Sequence, residues 1–120
     1  AAKTPRTKMI TEAQIAEILS LYRKHGWNLS RVLLSVELGK SLSGKVENLF
    51  GSAEVVSSEI NAAWFTRPSK GGNTAWELRH LSNTPFALFE VFGADADEDF
   101  RREKLSEMEN RLIEKFSKTE

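Results

Sequence analysis

Between Glu59 and Phe92 the chain reads EINAAWFTRPSKGGNTAWELRHLSNTPFALFEVF, three short aromatic and aliphatic runs separated by turn residues at 68–73 and 82–85. Runs of that length, punctuated by Pro, Gly and Asn, fit an antiparallel three-stranded meander better than any other small unit. The expected strands are 59–67, 74–81 and 85–92. Pro68 has no N–H for a ladder and should stop the first. Gly71, Gly72 and Asn73 can take the positive φ a tight turn requires.

Charge selects the register between the second and third strands. Pairing Leu81 with Phe86 sets Glu77 against Glu90, and like charges directly opposite destabilise a sheet. A slip of one residue matches His80, Leu78 and Trp76 with Phe86, Leu88 and Glu90. One face then carries Trp76, Leu78, Phe86 and Leu88, the expected core side. The other carries Leu81, Ala87, Phe89 and Val91 together with Asn61, Phe65, Arg67, Glu77 and Arg79. That mixture is too apolar for a face left in water, so a helix of the same chain or a second subunit is expected to cover part of it.

Upstream, Thr11 and Gln14 form a capping-box pattern. Ile15, Ile18, Leu19 and Tyr22 follow on one stripe, and Gly26 sits where a helix should end, which predicts a helix over 12–25. Residues 27–34 are expected to be a fourth strand. Helix also fits them, because Leu29, Val32, Leu33 and Val36 share a 3.6-residue period. Leu38, Leu42, Val46, Leu49 and Phe50 make a second helical stripe after the N-cap Ser35. Gly39 and Gly44 each cost a helix interior about 1 kcal/mol relative to Ala, so that segment is expected to split, with firmer turns at 43–50. Residues 52–58 read as a linker with a short extended piece at Val55 and Val56. Acids at 95–99 suit the start of a final helix over 97–117.

The resulting expectation is an α+β, two-layer fold: an antiparallel β-meander with a fourth strand, packed by about three helices in the order α-β-α-β-β-β-α. Residues 1–10 are read as a flexible basic tail, carrying Lys3, Arg6 and Lys8, and residues 11–118 as one domain. At 120 residues the chain is one domain's worth, enough to bury roughly two thirds of its unfolded surface.

Composition narrows function by exclusion. There is no Cys, so disulfides, thiolate metal sites and Cys nucleophiles are out. A cytoplasmic location is the expectation. No apolar run approaches the ~18 residues of a membrane-spanning helix. Seventeen basic residues balance seventeen acidic ones, whereas a dedicated nucleic-acid binder usually carries a basic excess.

No catalytic or metal-binding motif emerges, and no cofactor is implied. The loop 68–73 departs from GxxxxGK[ST], since no Lys-Ser/Thr follows its glycines. The two histidines, His25 and His80, lack ligand spacing. The acids at 95–99 lack the Gly and distal Glu of an EF-hand. The polar constellation that stands out is Asn61, Arg67, Glu77 and Arg79, with His80 at its edge and Phe65 and Phe89 around it; charged groups in an apolar wall are either paired structural ions or a binding site. Three readings follow. The first is a non-enzymatic protein-interaction or adaptor module that self-associates as a homodimer or binds another protein. The second is a small-ligand or enzymatic domain using the polar constellation. The third is a weak nucleic-acid binder using the basic tail, the 67–72 loop and an aromatic-plus-basic platform of Trp64, Phe65, Arg67 and Lys70.

Overall fold

A computed structural model describes residues 9–116. Residues 1–8 of the expected basic tail and residue 117, the last of the expected final helix, lie outside them. The elements run α1 (Glu12–Lys24), β1 (Asn28–Leu34), α2 (Val36–Ser41), α3 (Val46–Phe50), β2 (Glu54–Ser57), β3 (Ala62–Pro68), β4 (Thr74–His80), β5 (Ala87–Phe92) and α4 (Glu98–Phe116), with a 3₁₀ turn at Lys70–Gly72 between β3 and β4. They form one five-stranded sheet in the order β2-β1-β3-β4-β5.

The meander is the antiparallel half of that sheet, β3-β4-β5. Leu78 faces Leu88 and Trp76 faces Glu90, so the register is the one that keeps Glu77 away from Glu90. In the turn, Gly71 and Gly72 take φ of 65° and 79°. Asn73 stays extended at −76°.

Three features differ from the expectation. The first is strand number: the segment read as a linker contributes β2, which pairs parallel to β1 through Arg31↔Glu54 to Leu34↔Ser57. The sheet is therefore mixed. A parallel neighbour needs a crossover, and α2 and α3 supply it; four residues of β2 were too few to show a period. The second is the helices, four rather than about three. The stripe over 36–50 does split, at Gly44 with φ 82°, a conformation that L side chains rarely adopt. Its longer piece is α2, capped by the Ser35 hydroxyl accepting from Leu38 N–H.

The third is layering. Val32, Leu34, Ala63, Phe65 and Ala75 face a core built with Ile15 and Leu19 of α1, Leu38 of α2 and Phe50 of α3. Leu33, Ala62, Trp64 and Leu78 face a second core with Met108 and Leu112 of α4. Helices cover both faces, giving three layers where two were expected. Ile10, just before α1, is buried in the first core.

β1 contains the irregularity that made 27–34 ambiguous. Leu29 pairs with Phe65 and Arg31 with Trp64, so Ser30 is an extra residue, a β-bulge. The bulge resets alternation: Leu29, Val32 and Leu34 pack in the α1 core while Leu33 packs in the α4 core. A three-residue step between two inward side chains is what a helix would also show. The segment is a strand.

Candidate functional site

The candidate side chains assemble where the C-terminus of α1 meets β3, β4 and β5. Tyr22, Arg23, Lys24, His25 and Gly26 lead into Trp27, and Gly26 turns the chain with φ 86°. The Trp27 N–H donates to the Tyr22 carbonyl and the Gly26 N–H to the Arg23 carbonyl, both at 3.0 Å. That pair of bonds is a Schellman ending, which characteristically brings the residues at its two ends into apolar contact. Here those residues are Tyr22 and Trp27, with ring centroids 6.1 Å apart. The helix ending thereby lays two aromatic rings side by side on the sheet.

Tyr22 stacks on Phe65 at 4.0 Å between centroids and 12° between planes. Its hydroxyl donates to a Glu77 carboxylate oxygen. Burial, followed by the hydrogen bond to Glu77 and the Glu77 charge, holds the Tyr22 phenol well above its ordinary range, while Arg79 acts in the opposite sense. Trp27 meets Phe89 edge-on at 6.4 Å and carries the Arg67 guanidinium 4.4 Å above its ring. Arg67 also donates to the His25 carbonyl at 2.6 Å, closing the end of α1.

Of the residues singled out in the sequence, Phe65, Arg67, Glu77, Arg79 and Phe89 alternate onto this one face. Asn61 is elsewhere in role: its side-chain oxygen accepts from the Ser35 N–H at 2.7 Å, at the entry to α2. His80 is on the opposite face. Its ring stacks on Phe116 of α4 at 3.8 Å, and Nδ1 lies 3.0 Å from the Ser82 hydroxyl. Burial, with Arg79 nearby, lowers its pKa to about 4. Arg79 donates to the His80 carbonyl.

Tyr22 and Trp27 were absent from the sequence-derived set. Their signal was present as Tyr-Arg-Lys-His-Gly-Trp, a helix end with apolar residues flanking the cap, although nothing in that string names the strands it lands on.

Three of the polar groups are committed to holding helices. Glu77 holds α1 through Tyr22, Arg67 holds the end of α1, and Asn61 holds α2. Among the described residues there is no group of three His or carboxylate side chains placed to hold a metal ion. Trp64 and Phe65 are each 1% exposed, so neither offers a face on which a nucleobase could stack, and the platform read from the sequence does not form. The Trp64 indole N–H instead donates to Glu109 of α4 at 2.7 Å, with Arg31 at 3.8 Å from the same carboxylate.

What remains open is the outer strip. Helices α1–α3 cover the first face over β1, β3 and part of β4, and cover stops at Trp27. Beyond it Phe89 is 56% and Val91 39% exposed, side by side on β5. A surface depression beside them is lined by Gly26, Arg67, Lys70 and Phe89 among others. No helix in the described part is long and apolar enough to cross a membrane. Compared with known proteins, the chain matches no family model, and no curated protein or solved structure is similar to it.

Proposed function

We propose that this chain is a non-enzymatic protein-interaction module that self-associates, and that its contact surface is the apolar strip on β5. The observation that carries the reading is Phe89: a large ring, more than half exposed, on a strand at the end of the sheet. Scattered exposed apolar residues are ordinary. Phe89 and Val91 are instead adjacent on one face, with Phe89 resting edge-on against the buried Trp27 ring, and neighbouring exposed apolar side chains of this kind mark contact sites. The neighbouring polar groups support the same reading. They are occupied in holding helices, so among the described residues they form no free polar set on this face.

Light scattering over a concentration series tests this. The wild type is expected to approach twice the monomer mass as concentration rises. Phe89→Lys is expected to remain a folded monomer, since position 89 is more than half exposed and its cross-strand partner is Glu77, an opposite charge. A wild type that stays monomeric throughout would remove self-association. Ligand screening against the depression lined by Arg67 and Lys70 would then come next.

A further inference from the structure

We infer that the partner of the β5 strip is a second copy of this chain, joined edge to edge so that two five-stranded sheets become one, with Phe89 on the twofold axis. The inference rests on the self-association reading and adds its geometry.

β5 ends the sheet, and among the described residues no strand pairs with its outer side. The His80 N–H donates to the Phe86 carbonyl at 2.9 Å. In an antiparallel ladder the residues that exchange bonds alternate with those that do not. Phe86, Leu88, Glu90 and Phe92 therefore turn their backbone groups toward β4, and Ala87, Phe89 and Val91 turn theirs outward. The same three residues place their side chains on the α1 side, as the Phe89–Trp27 contact shows. Natural edges are usually blunted by Lys, Pro, a bulge or short length. The opposite edge, β2, is four residues long and carries Glu54. β5 has six residues, and its outward backbone positions carry only Ala, Phe and Val.

A twofold axis normal to the sheet keeps each face with its own kind, so few registers are open. Centring on Glu90 sets it against its own copy, a like-charge pair. Centring on Leu88 runs Val91 against Pro85, which has no N–H to give. Centring on Phe89 sets Phe89 against Phe89 and Ala87 against Val91, satisfying the outward groups with about six backbone hydrogen bonds. The same register opposes Leu88 with the copy's Glu90, diagonal to Phe86. The Lys115 ammonium lies 4.9 Å over the Phe86 ring, so each Glu90 meets a cation of the other copy. The strand is complementary to itself in hydrogen bonding and charge in this register.

Two measurements test it. Val91→Pro removes an outward N–H and leaves the β4 ladder intact, so the variant should fold and sediment as a monomer, with self-association weakened at least tenfold. A folded Val91→Pro dimer would overturn edge pairing while leaving self-association standing. Because the chain has no native Cys, a mixture of Ala87→Cys and Val91→Cys can be oxidised cleanly, whether or not the proline variant folds. Opposed residues lie about 5.5 Å apart, within disulfide reach, so the mixed disulfide should form. Either variant alone should not cross-link, its two copies being roughly 13 Å apart along the strands. A wild-type dimer with no mixed disulfide overturns the register. A wild type monomeric at all concentrations overturns the inference and the reading beneath it together.

Discussion

Tyr22 shows how much of the site depends on a single hydroxyl. Its ring is held by the stack on Phe65 and its oxygen by Glu77. Tyr22→Phe keeps the stack and leaves the half-buried carboxylate short of a donor, an expected cost of about 1–3 kcal/mol, read as a lower denaturant midpoint. Tyr22 is the only tyrosine, so phenolate absorbance reports it alone. A free phenol ionises near pH 10; the folded-state value is higher, because burial and Glu77 oppose the anion. The stability this represents is complete below pH 10 and is lost as pH rises from there toward the folded-state value. Alkaline titration is therefore expected to show no phenolate near pH 10, then a rise coincident with unfolding. A normal titration in the folded protein would mean the Glu77 contact is not held in solution.

The element most exposed to acid is α4. Its last turn packs Phe116 on His80, edge to face on Phe86, and its middle inserts Met108 and Leu112 into the second core. His80 has a folded-state pKa of about 4 against an ordinary 6.5. Above 6.5 the imidazole is neutral in both states and the full stability is present. As pH falls from 6.5 toward 4, the unfolded chain gains a proton that the folded chain refuses, so stability is lost across that window. His80→Phe keeps a ring against Phe116 and cannot titrate. The drop in urea midpoint between about pH 7 and about pH 4.5 should shrink in this variant relative to wild type. An unchanged drop would assign the acid sensitivity to carboxylates elsewhere.

Across the whole molecule, formal charge sums to zero at pH 7, and the proposed dimer is held by backbone pairing and apolar contact, with one exposed Glu90–Lys115 pair per half. Exposed ion pairs contribute about 0–1 kcal/mol and are screened by salt. The dimer dissociation constant is therefore expected to change by no more than a few-fold between about 50 and about 500 mM NaCl. Binding carried by phosphate contacts would instead fall steeply over that range, so a strongly salt-sensitive self-association or a captured nucleic acid would contradict the arrangement.

The parts of the fold legible in the chain are those whose physics is local. Thr11 and Gln14 close a capping box, Gly26 ends the helix they begin, and the register that forms is the one that keeps Glu77 from facing Glu90. Each depends on residues a few positions apart, or on two strands joined by a short turn. The alternation that put Phe65, Arg67, Glu77, Arg79 and Phe89 on one face is local in the same sense. Tertiary structure decided the rest. A bulge at Ser30 changed which β1 residues point inward, and a four-residue strand found a parallel partner across a two-helix crossover. α1 came down on one sheet face and α4 on the other, so half-apolar strands that could have met a second subunit met helices of their own chain almost everywhere. Among the described strands, large apolar side chains stayed exposed at Phe89 and Val91 of β5 and at Val55 of β2. Which face a helix covers depends on the sum of many weak apolar contacts between residues far apart in sequence, and no single residue carries that choice.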